Sequence, residues 1–343
     1  MTTTNSSRYR IAVTELGMRV EDFPADIIDR CELVCGPADR RLTAAEALQL
    51  VKEADALLHT SRDAVSRSLM MGAQRLRVVI KLGGKPSNLD FEAAAELGLA
   101  VGWTPGANVR SVAEYAVLLA LSALRRIDKG LVTLDKGGWR SADHIGHELQ
   151  GRVVGVVGLG AIGQVTARLF MGFGVTTLAF DPYQRPETFA AVGARQVDLD
   201  ELLAGSDVVT LHCELTPETR GLINARSLRS MKPGAVLVNT ARGDLIDEPA
   251  LIAALREGGL SAAAIDVFSE EPLPADHPFR RTPNLIATPH ISARSLEALQ
   301  RERFWGLRGA IAYLDGHPVE NVHLIRPDPP SRSAAAHDTA QGD

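Results

Sequence analysis

The chain is poor in cysteine, poor in aromatic residues and has no excess of positive charge. Three cysteines in 343 residues, Cys31, Cys35 and Cys213, cannot form a disulfide framework. Cys31 and Cys35 bracket a strand-like run, Cys31-Glu-Leu-Val-Cys35, and read as small buried or edge residues, not as a thiol pair. Aromatic residues make up 5% and the net charge is −5, which leaves no basic field for nucleic acid and no polybasic patch for a membrane surface. No apolar run approaches the roughly 20 residues of a membrane span. The start, Met1-Thr-Thr-Thr-Asn-Ser-Ser, lacks the apolar core of a secretory leader. These absences predict a cytoplasmic protein with no nucleic-acid, membrane or metal partner. The rest of the composition, 45% hydrophobic and 23% charged, is that of a globular chain long enough for two domains.

The most informative segment is Val153-Val154-Gly155-Val156-Val157-Gly158-Leu159-Gly160-Ala161-Ile162-Gly163. A β-branched strand runs into G-x-G-x-x-G, and a helical stretch, Gln164 to Phe170, follows: the dinucleotide-binding turn. Gly158 permits the sharp turn, Gly160 lets backbone approach a pyrophosphate, and Gly163 lets helix and strand pack closely. The phosphates would rest on free N–H groups at the helix start, where the helix dipole favours negative charge. A second strand, Thr176 to Phe180, ends in Asp181, 18 residues after Gly163. An acid there holds ribose hydroxyls and repels a 2′-phosphate, so NAD is expected over NADP.

Elsewhere strand and helix signals alternate. Before the glycine turn, strands are expected at Ile11–Leu16, Cys31–Cys35, Ala56–His59, Val78–Leu82 and Leu99–Trp103. A capping box, Thr43-Ala-Ala-Glu46, opens one helix, Asn88 to Leu97 forms another, and Asn108 to Lys136 reads as one long helix. After the turn, strands are expected at Val208–Cys213, Ala235–Thr240, Ala262–Val267 and Leu285–Ala287, and a helix over Ser295–Leu314. This rhythm predicts parallel sheets with helices on both faces. The Pro-, Ala- and Asp-rich end, from Arg326 onward, reads as a disordered tail.

Three strand ends after the turn carry reactive residues: Arg242 in Asn239-Thr240-Ala241-Arg242-Gly243, Glu271 in Asp266-Val267-Phe268-Ser269-Glu270-Glu271-Pro272, and His290 in Thr288-Pro289-His290. Singly, they read as a turn cap, a solvated acid and a structural histidine. Together, at the carboxyl edge of one nucleotide fold, they place a cation, an acid and an imidazole where ligands bind. Hydride transfer at a carbinol carbon needs that set. Histidine exchanges the hydroxyl proton. A carboxylate favours the imidazolium and holds the ring. A forked guanidinium binds a carboxylate and polarises a carbonyl.

These residues sit among further ordered motifs: Asn88-Leu89-Asp90, Ser111-Val-Ala-Glu114, Asp181-Pro182, Leu211-His212 and Lys232-Pro-Gly-Ala-Val-Leu-Val-Asn239. From about Arg77 to Val319 the chain resembles the D-isomer-specific 2-hydroxyacid dehydrogenase family, which includes phosphoglycerate, glyoxylate/hydroxypyruvate and D-lactate dehydrogenases. The resemblance implies a Rossmann NAD-binding domain, 108–291, inserted into a flavodoxin-like substrate domain, 1–107 with a return segment 292–325, before the tail 326–343. It implies interconversion of a small D-2-hydroxy acid and its 2-keto acid. His290 would be the acid/base, Glu271 its partner in preference to Glu270, and Arg242 the substrate ligand, with Arg242 and His290 bordering cofactor as well as substrate. Asp266 and the backbone at Thr240 and Ala241 would meet the nicotinamide side, Ala161 and Ile162 the pyrophosphate, and Cys213 the adenosine side. Backbone N–H groups of Leu82-Gly83-Gly84-Lys85 would clasp the substrate carboxylate. The helix from Ser111 and the loop to Gln150 resemble a dimerisation arm, so a homodimer is expected. The alternative on the same fold is an NAD-sensing module like the C-terminal-binding corepressors. Two departures stand out: His290-Ile-Ser-Ala-Arg-Ser replaces a glycine-rich run after the histidine, and Lys85-Pro86 changes the substrate loop.

Overall fold

The computed structural model describes residues 8–14, 23, 25–37, 39–60 and 63–327. Leu16, the expected end of the first strand, and residues 328–343 of the expected tail lie outside them. The chain divides into two compact units, Met1–Asn108 with Leu296–Asp343, and Val109–Ser295. Among the described residues the strands are β1 (Tyr9–Val13), β2 (Cys31–Cys35), β3 (Ala56–His59), β4 (Val78–Lys81), β5 (Ala100–Trp103), β6 (Val153–Val157), β7 (Thr176–Phe180), β8 (Ala194–Gln196), β9 (Val208–Leu211), β10 (Ala235–Asn239), β11 (Leu260–Ile265), β12 (Leu285–Ala287) and β13 (His323–Ile325).

In the first unit the sheet order is β13-β5-β4-β3-β1-β2, parallel except for β13, which runs antiparallel to β5. Without β13 this is the flavodoxin-like order. The central strands β3, β4 and β5 are buried at every position, as expected for strands covered on both faces. Thr43 and Glu46 form the capping box that opens the helix Ala44–Val51. Asp90 caps Phe91–Glu96 by accepting from the Ala93 N–H at 2.9 Å. The edge strand β13 was not expected, because three residues carry too little pattern to distinguish a strand from a loop.

In the second unit seven parallel strands run β12-β11-β10-β9-β6-β7-β8, the Rossmann order with one further strand. The order reverses between β6 and β9, and β10 is wholly buried. The helix expected over Asn108–Lys136 is two helices, Val109–Leu124 and Ile127–Asp135, divided at Arg126 in a left-handed conformation (φ +52°). The break coincides with a contact distant in sequence. The returning chain packs on the helix end, and the His147 N–H takes the Leu124 carbonyl at 2.9 Å. The first helix buries Ala116, Ala120 and Ala123 in the core, whereas the second buries none of its residues.

Candidate active site

The three glycines of the turn occupy three different environments. Gly158 has φ +90°, and a Cβ there would fall 2.5 Å from the Cys213 nitrogen. A Cβ on Gly163 would fall 2.0 Å from the Gly158 carbonyl oxygen, so only hydrogen lets the helix start meet the turn. A Cβ on Gly160 would meet nothing within 4 Å. Space therefore lies over the start of the helix Ala161–Met171, whose first N–H groups, those of Ala161 and Ile162, have no acceptor within the helix. An anion fits there on geometric and dipolar grounds.

Asp181 directly follows β7 and stands beside that turn. Its Oδ2 accepts from the Leu159 N–H at 2.7 Å and its Oδ1 from the Tyr183 N–H at 2.9 Å. The carboxylate is thus fixed in place and keeps lone pairs for ribose hydroxyls. Cys213 follows β9 across the switch point, and burial pushes its thiol up to about 11, so it is a neutral wall. Burial also pushes the neighbouring His212 imidazole down to about 3, and its Nε2 lies 2.9 Å from Thr210 Oγ1. His212 is therefore neutral and structural.

β10 delivers Thr240, Ala241 and Arg242. The fully buried Asn239 shapes that turn: its Oδ1 accepts from the Ala241 N–H at 2.9 Å and its Nδ2 donates to the Arg242 carbonyl at 2.8 Å. Thr240 Oγ1 is buried and has no hydrogen-bond partner among the described residues. An orphaned hydroxyl at the carboxyl end of β10, on the same sheet edge as the glycine turn after β6, fits the polar rim of a bound dinucleotide. Arg242 is exposed, with its Nη1 donating to the Ala241 carbonyl at 2.6 Å. A Cβ on Gly243 would fall 2.0 Å from the Phe268 carbonyl carbon, so the Arg242 turn and the turn leading to Glu271 touch backbone to backbone.

β11 ends before Asp266, which is wholly buried. Its carboxylate accepts from Thr288 Oγ1 at 2.6 Å and from the N–H groups of Ile291 (3.0 Å) and Ser292 (2.8 Å), while its carbonyl accepts from the His290 N–H at 2.9 Å. Asp266 therefore grips the loop that carries His290 on both sides of it. His290 itself has φ +54°, in the left-handed region. Its Nδ1 lies 2.6 Å from Glu271 Oε2, and Glu271 Oε1 accepts from the Phe268 N–H at 3.0 Å. Burial raises the Glu271 carboxyl, but the bonds from His290 and Phe268 and the charges of His290 and Arg242 outweigh it and hold the group below its ordinary value. An ionised carboxylate only accepts, so Nδ1 donates and Nε2 is the nitrogen left for proton exchange. Next to this pair, the Ser269 N–H donates to Glu248 Oε1 at 3.0 Å, and Glu248 Oε2 lies 3.2 Å from His277 Nε2.

In the first unit the loop after β4 is differently built. Gly83 has φ +100°, and its N–H donates to Thr104 Oγ1 at 2.7 Å, so that N–H is already taken. The N–H groups of Gly84 and Lys85 have no acceptor among the described residues, and both residues are exposed. Sequence reasoning passed over Asn239, Glu248, Thr104 and Lys81. The one available signal was Lys81, a lysine closing the apolar run Val78-Val-Ile-Lys81.

Among the described residues no group of three or more His, Cys, Asp or Glu side chains is placed to hold a metal ion, and no helix is long and apolar enough to cross a membrane. The sequence profile of the D-isomer specific 2-hydroxyacid dehydrogenase family, NAD binding domain, matches residues 117–292. A D-3-phosphoglycerate dehydrogenase of Methanocaldococcus jannaschii is 42% identical over 258 residues, 75% of this chain and 49% of its own length. The chain thus spans about half the length of such relatives. A glyoxylate reductase of Thermofilum pendens is 38% identical over 82% of this chain and 88% of its own. The apo-structure of D-lactate dehydrogenase from Escherichia coli superposes with a TM-score of 0.80 at 29% identity, over 91% of this chain and 99% of that one. The chain belongs to the D-isomer specific 2-hydroxyacid dehydrogenase family, and residues 117–292 are its NAD-binding domain.

Proposed function

We propose that the chain is an NAD-dependent oxidoreductase that interconverts a small D-2-hydroxy acid and its 2-keto acid. The observation that carries the reading is the His290–Glu271 pair, 2.6 Å apart, with the second carboxylate oxygen held by a backbone N–H. Gly158–Gly163, Asp181 and the rim at Cys213, Thr240 and Ala241 would hold NAD, which when bound would supply the hydride acceptor or donor. In the oxidising direction His290 Nε2 accepts the hydroxyl proton, and the imidazolium is stabilised through Nδ1–H by Glu271. In the reducing direction the same nitrogen returns the proton to the carbonyl oxygen. Arg242 binds the substrate carboxylate and polarises the reacting carbonyl. In the first unit, taken by itself, the N–H groups of the exposed Gly84 and Lys85 are suited to bind a carboxylate, with Gly83 serving the turn through Thr104. The names of the glyoxylate reductase and the D-lactate dehydrogenase support a small 2-keto acid. A panel of glyoxylate, hydroxypyruvate and pyruvate, read by NADH absorbance, tests this. Turnover of at least one is expected, and turnover of none would refute the reading.

We also infer self-association through the segment after Arg126. Ile127, Leu131, Leu134, Trp139 and Ile145 are all more than half exposed, a concentration of apolar surface that a monomer rarely leaves open. Light scattering should give the mass of a dimer at micromolar concentration.

A further inference from the structure

Lys81 closes β4 and is only 6% exposed. Burying an ammonium is costly unless the group is used and hydrogen-bonded. Its Nζ donates to the Gly84 carbonyl at 2.9 Å. Glu302 borders the same side of Gly83 as Lys81: a Cβ on Gly83 would fall 3.2 Å from Glu302 Oε1 and 3.7 Å from Lys81 Nζ. Glu302 Oε1 also accepts from Asn108 Nδ2 at 3.2 Å. Across the sheet, His59 is the register partner of Lys81 and is wholly buried. Burial, helped by the Lys81 charge, pushes that imidazole down to about 4, so His59 adds no second cation.

The consequence is directional. In a trans peptide the C=O and the following N–H point opposite ways. The Gly84 carbonyl is drawn inward to a buried ammonium, so the Lys85 N–H of the same peptide points outward, on a loop whose Gly84 and Lys85 are exposed. A cation on the carbonyl also polarises the amide and strengthens its N–H as a donor. We propose that Lys81 is the positioning residue of the substrate-carboxylate site, orienting and polarising the Gly84–Lys85 peptide so that its N–H binds the carboxylate. The proposal rests on the dehydrogenase reading above. The cation that serves the carboxylate site is then the buried Lys81, and not the exposed side chain of Lys85.

The test uses the full chain with NADH, the 2-keto acid the wild type reduces best, and the neutral primary amide of that acid. Lys81→Met should raise the KM for the acid about ten- to thirtyfold, because a charge-assisted hydrogen bond is about twice as strong as a neutral one. The kcat should stay within about threefold, the KM for the amide should move less than about threefold, and NADH binding should be unchanged, since Lys81 acts only on the peptide that meets the carboxylate. Lys81→Arg should restore most of the preference for acid over amide. If Lys81→Met loses its thermal transition, Lys81→Gln replaces it, with an acid-specific rise of about fivefold expected from the lost charge. A parallel rise for acid and amide, or an Arg variant as poor as the Met variant, overturns the role of Lys81 while leaving the dehydrogenase reading intact. A wild type that reduces no 2-keto acid overturns that reading and this proposal with it.

Discussion

The two units build their candidate sites from different parts of the chain. In Val109–Ser295, reactive side chains follow parallel strands, and each is held by a neighbouring side chain: Arg242 by the turn the buried Asn239 shapes, His290 by the buried Asp266 and by Glu271. In the first unit, the candidate groups are main-chain N–H groups, and the side chains around them, Thr104 and Lys81, set only their direction. The first arrangement makes residue identity decisive. The second makes backbone conformation decisive, and many side chains on the loop should be interchangeable.

Substitutions can break this contrast, and the largest effect is expected at His290. His290→Gln should lower kcat by roughly 10²–10⁴, the usual worth of a general acid–base group, with NADH binding retained in a fluorescence titration. Next come the glycines, which separate cofactor space from packing. Gly163→Ala should lower stability by about 1–3 kcal/mol, the cost of overpacking, and weaken NADH binding as well. Gly160→Ala should melt like the wild type yet bind NADH about tenfold more weakly, because its Cβ enters the space reserved for a pyrophosphate. Equal melting temperatures for the two variants would show that the packing at Gly163 is not as tight as the geometry requires.

Glu271→Gln tests the pair through pH. Loss of the negative charge removes what favours the imidazolium, so the pH at which ketone reduction falls away should move down. The stability side has the opposite sense. A carboxyl held below its ordinary value stabilises the fold above the ordinary carboxylate range and loses that contribution as pH falls through its lowered value. The wild type should therefore lose stability more steeply than Glu271→Gln in acid, as pH-dependent melting would show. Asp181→Ala should reduce the preference for NADH over NADPH by about tenfold, from one charge next to a 2′-phosphate. The smallest effect is expected at Lys85→Ala, which keeps the main-chain N–H. A KM change under about twofold for any 2-keto acid would match the near-zero worth of an exposed charge, and a large change would show that the Lys85 side chain itself meets the substrate.

Legibility followed the same division. The places of the glycine turn, Asp181, Arg242, Glu271 and His290 after parallel strands could be read because each lies at a fixed distance from an apolar strand; their roles are those proposed above. The strand boundaries of Cys31–Cys35, Ala56–His59 and Leu285–Ala287 could be read because parallel strands are short, dense apolar runs. The break at Arg126 could not, because its cause is a carbonyl captured by a segment more than twenty residues later. The use of the Gly83 N–H by Thr104 was hidden for the same reason: the partners are 21 residues apart and neither is unusual alone. Asp266 was legible as an acid near the site, but its three bonds to the 288–292 loop were not.

The left-handed backbone of His290 has a consequence for how a ligand would be received. For a non-glycine residue that conformation costs about 1–3 kcal/mol and persists only where the surroundings over-determine it, as Asp266 does here. The ordering of the acid–base loop is thus completed when the chain folds. In the proposed role of His290, a substrate would meet an imidazole already aimed, and its binding energy would not be diverted into freezing the loop.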